Sequence, residues 1–198
     1  MTHTPDMGST VTAGELLSGD ERVVYRTSEP RRARSAVAMP VAVSERVREL
    51  FAATGVTSLY RFQGEAIQLV RAGSHVVLAG GTGSGKSLCY QLPLLEALAE
   101  RHSVTDRKQT ALYLAPTKSL AQDQARRLRE LAAPWAQPRL YDGDTPRDLR
   151  ARIRASANLL LTNPDMLSAG ILPSHVEWAT FLKGLAIVVI DESHVYRG

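Results

Sequence analysis

A glycine-rich loop that follows a short apolar segment constrains this chain more than any other feature. Residues 76–79 read Val-Val-Leu-Ala, and residues 80–87 read Gly-Gly-Thr-Gly-Ser-Gly-Lys-Ser. Glycines let the backbone curl until its N–H groups converge, and the helix predicted from Lys86 onward adds the positive end of its dipole. The spacing is that of the Walker A loop, which holds nucleotide phosphates. An ordinary strand-to-helix turn is the competing interpretation.

Each residue type in this loop has a chemical task. The Lys86 ammonium is expected to neutralise the terminal phosphates, and the Ser87 hydroxyl is expected to ligate Mg²⁺. The predicted nucleotide-binding residues of the loop are Gly81, Thr82, Gly83, Ser84, Gly85, Lys86 and Ser87. Lys86 is also a candidate catalytic residue, because its charge faces the group that would be transferred.

The composition allows one domain with a substantial core. The chain has 198 residues, of which 44% are hydrophobic, and both values are normal for a globular protein. Its one cysteine, Cys89, excludes an intrachain disulfide and a cysteine-based zinc site. The net charge of +4 suits a polyanionic partner but is weak evidence alone. No apolar run approaches the roughly 20 residues that span a bilayer, so we expect no membrane partner and a cytoplasmic location.

The sequence pattern changes near residue 40. Residues 1–20 are polar and lack a hydrophobic period, which predicts a flexible tail. Residues 21–40 carry a basic cluster between two prolines, which indicates an extended arm rather than a packed element. We therefore divide the chain into a tail and basic arm at 1–40 and a single domain at 41–198.

Short apolar runs alternate with helical stretches through this domain. The predicted strands are 75–79, 110–115, 139–141, 158–162 and 185–190, and the predicted helices are 44–55, 63–71, 86–100, 118–131 and 147–155, with shorter pieces within 165–183. Near-continuous apolar strands that alternate with helices indicate a mainly parallel sheet with helices on both faces. The fold class is therefore α/β, and ligands are expected at the carboxyl ends of the strands.

An acidic pair directly follows the last predicted strand. Residues 187–190 read Ile-Val-Val-Ile, and Asp191 and Glu192 come next. A carboxylate in this place is what the Mg²⁺ of a bound nucleotide requires, so we predict that Asp191 helps to hold the metal and that Glu192 orients the attacking water. The alternative is that Asp191 only caps a following helix.

Five segments in order resemble the first RecA-like domain of superfamily-two DEAD/DEAH-box helicases. Residues 81–87 are similar to motif I, and residues 191–194, Asp-Glu-Ser-His, are similar to motif II. Residues 115–124 resemble motif Ia, residues 162–167 resemble motif Ib, and the Gln63 region resembles the adenine-reading Q motif. The connecting segments, among them Tyr-Asp-Gly-Asp-Thr-Pro at 141–146, look like the bacterial YprA/MrfA-type helicases, which are related to the Hrq-type, RecQ-like enzymes.

The resemblance assigns further residues. It implies that Gln63 reads adenine through its amide, with Tyr60 or Phe62 stacking on the base or packing in the core. It also implies that Pro116, Thr117, Lys118 and Thr162 contact a nucleic-acid backbone. For each of these residues taken alone, a helix-capping role is the alternative.

The resemblance implies an ATP-dependent helicase that moves along DNA, in the 3′ to 5′ direction, and that serves DNA repair. ATP and Mg²⁺ are the implied cofactors, and single-stranded or duplex DNA is the implied partner in preference to RNA. Because the chain ends soon after motif II, we expect it to lack the second RecA-like domain and to be poorly active alone. The competing hypothesis is a nucleotide- and nucleic-acid-binding fragment without turnover.

Overall fold

A computed structural model describes residues 35–40, 43–81, 83–99 and 109–196. Thr82, the predicted tail and most of the predicted basic arm lie outside these residues. The strands are β1 Ala36–Ala38, β2 Ser58–Tyr60, β3 Thr110–Leu114, β4 Pro138–Leu140, β5 Leu159–Thr162 and β6 Leu185–Ile190. The helices are α1 Glu45–Ala53, α2 Arg61–Arg71, α3 Ser87–Ala99, α4 Lys118–Glu130, α5 Arg147–Ser156, α6 Pro164–Met166 and α7 Ala179–Lys183.

The main sheet has four parallel strands in the order β4-β5-β3-β6. Its two central strands, β3 and β5, are buried along their whole length. This burial explains why their sequences are apolar without alternation, since helices cover both faces of such a sheet. The predicted α/β class with a parallel, RecA-like sheet is confirmed.

Two apolar clusters cover the two faces of this sheet. Successive side chains of β3 point to opposite faces, so Tyr113 packs in one cluster while Leu112 and Leu114 pack in the other. The first cluster contains α3, which is buried on most sides. Because α3 is held firmly by this packing, the loop that precedes it is anchored at one end.

The segment at 75–79 differs from the prediction, because it is extended but is not a strand of the sheet. Its Val77 is 91% exposed, and Val188 and Ile190 of the edge strand β6 are about half exposed. A β-strand is defined by its hydrogen bonds to a neighbouring strand, and no strand among the described residues is paired with this segment. The prediction was correct that this segment is apolar and extended, and it was wrong that the segment is a strand of the sheet.

The end of the predicted basic arm also differs from the prediction. Residues Ala36–Ala38 form β1, which pairs antiparallel with β2. Val37 of β1 packs against the first apolar cluster. These residues therefore belong to the folded body, since three consecutive backbone pairs hold them there. Within the part of the chain that the structure describes, no helix is long and apolar enough to cross a membrane.

Candidate nucleotide and nucleic-acid site

The glycine-rich loop turns directly into α3, as its sequence predicts. Gly83 and Gly85 have φ angles of +73° and +88°, which lie in the left-handed region that glycine adopts without strain. The Lys86 ammonium lies against the loop and donates to the carbonyl oxygens of Gly80 at 2.5 Å and Gly81 at 2.8 Å. The loop therefore has the curled backbone and the adjacent cation that a phosphate site requires.

Ser84 provides an independent sign of a ligand site. Its Oγ is buried and has no hydrogen-bond partner in the structure. Buried polar atoms without a partner are rare, and each calls for a specific explanation. A phosphate oxygen in the loop would satisfy this hydroxyl, so the residues present suit a nucleotide.

Gln63 connects α2 to the same loop. Its Oε1 accepts a hydrogen bond from the backbone N–H of Tyr60 at 2.7 Å, and its Nε2 donates to the carbonyl oxygen of Gly85 at 2.8 Å. The side chain is 1% exposed. Each end of the amide still has capacity for one further bond, so adenine reading by Gln63 stays a prediction, whereas its attachment to the loop is an observation.

The aromatic residues beside Gln63 lie outside the two apolar clusters. The rings of Tyr60 and Phe62 are stacked at an interplanar angle of 22° with centroids 6.1 Å apart, and Phe62 is 38% exposed. A stacked, partly exposed pair of rings next to the glycine-rich loop could stack on a nucleotide base.

Asp191 and Glu192 stand at the carboxyl end of β6, as predicted. The backbone N–H of Asp191 continues the β3–β6 ladder by donating to the carbonyl oxygen of Leu114 at 2.9 Å. Glu192 has φ of 49°, a strained conformation for a residue other than glycine that is common at functional sites. Its Oε2 is 3.3 Å from Nδ1 of His194. The chain turns sharply at this point and leaves the Glu192 carboxylate exposed.

Asp191 is held by a residue that sequence reasoning missed. The hydroxyl of Tyr113, the fourth of the five residues of β3, donates to Oδ2 of Asp191 at 2.5 Å. Burial raises the pKa of Tyr113 far above its ordinary value, so the phenol keeps its proton and remains a donor. A signal was present in the sequence, because a tyrosine in a strand predicted to be buried on both faces needs a partner for its hydroxyl.

The residues present suit a magnesium ion that is shared with a nucleotide. Across the described ranges, no cluster of three or more His, Cys, Asp or Glu side chains could hold a metal on its own. Ser87 opens α3 directly after the loop, and Asp191 supplies one carboxylate at the end of β6. Mg²⁺ is commonly bound by one or two protein oxygens together with substrate phosphates and water, so this sparse set of ligands is sufficient.

The predicted nucleic-acid contacts begin α4 at the same edge of the sheet. β3 and β6 are parallel and pair in register at Leu114 and Ile190, so the residues after each strand are neighbours. The Thr117 hydroxyl caps α4 by accepting from the Leu120 N–H at 3.3 Å. Capping, the alternative to a phosphate contact, is therefore its observed role. Exposed Thr117 and Lys118 still present groups at the surface.

Lys118 is paired with an acid from another loop. Its ammonium donates to Oδ2 of Asp144 at 2.6 Å, and both side chains are exposed. This hydrogen bond raises the pKa of Lys118. Asp144 belongs to the 141–146 segment, and the proximity of this segment to Lys118 has no signal in the sequence. A phosphate would have to compete with this carboxylate for the lysine.

Thr162 does not suit a direct contact with nucleic acid. It is 1% exposed, and its hydroxyl donates to the carbonyl oxygen of Tyr141 at 2.6 Å. The side chain therefore joins the ends of β5 and β4 inside the fold. The prediction placed Thr162 correctly at the end of a strand but could not show that its hydroxyl has an internal partner.

A curled glycine-rich loop before a buried helix, with a carboxylate pair at the end of a parallel strand, is typical of a RecA-like P-loop domain. Residues 60–198 match the DEAD/DEAH box helicase family. The chain belongs to that family.

Two curated proteins and one crystal structure illustrate the relationship. The chain is 40% identical over 186 residues to the uncharacterized ATP-dependent helicase YprA of Bacillus subtilis, covering 92% of this chain and 24% of YprA. It is 41% identical over 161 residues to the ATP-dependent helicase hrq1 of Schizosaccharomyces pombe, covering 78% of this chain and 14% of hrq1. The structure of the DUF1998 helicase MrfA bound to DNA superposes with a TM-score of 0.81 at 39% identity, covering 96% of this chain and 27% of that chain.

These relatives confirm the predicted resemblance to the YprA/MrfA and Hrq type. The chain spans about a quarter of the length of YprA and less of hrq1. The named relatives are ATP-dependent helicases, and nucleotide binding is a property that this family implies.

Proposed function

We propose that this chain is the ATP-binding part of a DNA helicase motor, which binds Mg²⁺-ATP in the loop at 80–87 and single-stranded DNA at the start of α4. The observation that carries the proposal is the shared edge of the sheet. The acidic pair follows β6 and the start of α4 follows β3, and these two strands are hydrogen-bonded neighbours. A nucleotide and a nucleic-acid strand would then lie against adjacent strand ends.

Each residue has a proposed role in hydrolysis. The loop N–H groups and Lys86 bind the phosphates, and Ser87 and Asp191 would hold Mg²⁺, which supplies charge neutralisation at the transferred phosphoryl group when it is bound. Glu192 orients and polarises the attacking water. Tyr60, Phe62 and Gln63 form the proposed base-binding side of the site.

The proposed partner is DNA rather than RNA, and the proposed direction is 3′ to 5′. The similarity to MrfA, which has been crystallised with DNA, supports the choice of DNA. Pro116, Thr117 and Lys118 are proposed to contact the phosphate backbone, and such contacts tolerate any base sequence. The proposed setting is DNA repair, for which the sequence similarity to the Hrq and MrfA helicases is the support.

Efficient turnover is proposed to need a second RecA-like domain in addition to this one. That domain would supply an arginine at the transferred phosphoryl group, a contribution worth about 10³ to 10⁵ in rate in related P-loop enzymes. We therefore expect residues 1–198 to bind ATP but to hydrolyse it close to background. The second candidate function is that of a binding fragment without turnover. Residues 1–198 would have this function when no second domain supplies an arginine.

The test combines binding and turnover on residues 1–198. ATP binding is measured by calorimetry with Mg²⁺, and Lys86→Ala is expected to abolish it because the one loop cation is lost. Phosphate release is measured with and without single-stranded DNA, with Glu192→Gln as the blank, and RNA of the same sequence is the competitor. Unchanged ATP affinity in Lys86→Ala would contradict the nucleotide site, and tighter binding of the RNA would contradict the choice of DNA. Robust DNA-stimulated turnover that disappears in Glu192→Gln would contradict the need for a second domain.

A further inference from the structure

Two tyrosines, one buried and one partly buried, lie near the two protein groups proposed to hold Mg²⁺. Tyr113 is on β3 and pairs in register with Val189 of β6, two residues before Asp191. Its side chain is fully buried, and its hydroxyl donates to Oδ2 of Asp191 at 2.5 Å. A short hydrogen bond to an ionised carboxylate is among the stronger hydrogen bonds in proteins.

This bond fixes one of the two oxygens of Asp191, and the backbone fixes the other. The N–H of Glu192 donates to Oδ1 of Asp191 at 3.0 Å. A carboxylate accepts about four hydrogen bonds or metal contacts in total. With one donor on each oxygen, rotation of the carboxylate is restricted while acceptor capacity remains on both atoms.

The second tyrosine connects this arrangement to α3 and α4. Tyr90 lies three residues after Ser87 on α3, so the two side chains share one face of that helix. Its ring is 5.5 Å from the ring of Tyr113, and its hydroxyl donates to Oε1 of Gln124 on α4 at 2.9 Å. The Tyr113 ring therefore packs against the Tyr90 ring, which is attached to α3 through its backbone and to α4 through the hydrogen bond to Gln124.

We propose that Tyr113 is a positioning residue that orients Asp191 for Mg²⁺, with Tyr90 holding the Tyr113 ring in place. The inference rests on the Mg²⁺-nucleotide site proposed above. Tyr113 acts through Asp191 and does not touch the metal or the nucleotide. Replacement of such an outer partner of a metal ligand typically weakens metal affinity about 10-fold to 100-fold. Phenylalanine at this position fills the same space but cannot donate.

The experiment measures how nucleotide binding by residues 1–198 depends on free Mg²⁺. A fluorescent methylanthraniloyl-ADP is titrated at increasing Mg²⁺ concentration and, separately, in EDTA. For Tyr113→Phe we expect the half-maximal Mg²⁺ concentration to rise about 10-fold or more, while the affinity in EDTA stays at the wild-type value. Tyr141→Phe is the matched control, because Tyr141 is buried in the cluster on the other face of the sheet, and it should leave both values unchanged.

A double-mutant cycle with Asp191→Asn shows whether Tyr113 acts through Asp191. If it does, Tyr113→Phe causes no further change in Mg²⁺ dependence once Asp191 is replaced. An equal loss of affinity with Mg²⁺ and in EDTA would indicate a merely structural role and would overturn the inference. An unchanged Mg²⁺ dependence in Tyr113→Phe would overturn it as well. A wild-type chain that binds the nucleotide equally with and without Mg²⁺ would overturn the proposed metal site itself, and the inference with it.

Discussion

Gln63 of α2 is hydrogen-bonded to Gly85 of the phosphate loop, with 2.8 Å between the amide nitrogen and the carbonyl oxygen. The same amide accepts from the Tyr60 backbone, so one side chain ties the start of α2 to the loop. If Gln63 reads the base, the same side chain also supports the glycine-rich loop.

Replacing Gln63 by Ala should weaken binding of both ATP and GTP, and ATP more strongly. Loss of the bond to Gly85 affects the loop whichever base is present, and one such neutral bond corresponds to about fivefold in affinity. Adenine reading adds a further loss for ATP alone. Calorimetric titrations with both nucleotides check this. An equal loss would show that Gln63 only supports the loop, and an unchanged GTP affinity would show that the bond to Gly85 has no effect on binding.

Gly85→Ala should disrupt the glycine-rich loop more than the strain of a left-handed backbone angle alone would. A Cβ at Gly85 would lie 2.7 Å from Nε2 of Gln63 in addition to facing a φ of +88°. Gly55 is the matched control, because its φ is +86° and nothing lies within 4 Å of an added Cβ. Both variants incur the left-handed strain of about 1–2 kcal/mol, measured by denaturant unfolding. Only Gly85→Ala is expected to lose more stability than this and to lose nucleotide affinity, and equal behaviour of the two would contradict the predicted clash.

Removing the charge of Asp144 should strengthen binding of single-stranded DNA. The Lys118 ammonium is paired with this carboxylate, so Asp144→Asn frees it for a phosphate. We expect a gain of about twofold to fivefold at low salt, as suits an exposed pair. Asp123→Asn is the control, because it removes the same charge on α4, the helix that Lys118 begins, where Asp123 pairs with Arg126, and it should have little effect.

Replacing Lys118, the other member of the ion pair with Asp144, tests the same contact. Lys118→Ala should weaken binding and reduce the slope of log affinity against log salt by about 0.7, the value for one phosphate contact on a single strand. Fluorescence anisotropy with a labelled oligonucleotide measures both quantities. An unchanged slope in Lys118→Ala would remove Lys118 from the proposed DNA contacts.

Cys89 should react slowly with thiol reagents in the folded chain. Burial raises the pKa of its thiol to about 11, so the reactive thiolate is scarce at neutral pH and increases about tenfold per pH unit below that pKa. Since Cys89 is the one cysteine of the chain, labelling by a chromogenic disulfide reports it alone. We expect labelling to be at least 100-fold slower in buffer than in denaturant at the same pH. Similar rates in the two conditions would mean that the start of α3 opens readily.

Backbone amides at 76–79 should exchange with solvent faster than those of β3. The segment is apolar but has no strand partner among the described residues, whereas β3 is hydrogen-bonded on both sides. Amides without hydrogen bonds exchange without local unfolding. Hydrogen-exchange mass spectrometry compares the two segments in one experiment. Strong protection at 76–79 would indicate a pairing partner that the described residues do not include.

Much of the fold was predictable because local signals agreed. The helix that begins after Thr117, the strand Leu185–Ile190 and the left-handed glycines of the glycine-rich loop follow from capping, hydrophobicity and backbone freedom. The prediction failed at 75–79 and at Ala36–Ala38. In both places the outcome depends on which strand lies alongside, and pairing partners are distant in sequence.

The sequence by itself determined the family of this chain and the chemistry proposed for it, because the Gly-Lys-Ser turn and the Asp191–Glu192 pair need only local spacing and strand ends to be interpreted. Only the tertiary structure decided which groups support or oppose that chemistry. Tyr113 holds Asp191, Asp144 pairs with Lys118, and the Thr162 hydroxyl is buried against Tyr141. Each of these contacts joins elements that parallel-sheet topology brings together across many residues, and side-chain hydrogen bonds of that kind leave no periodic signal in a single sequence.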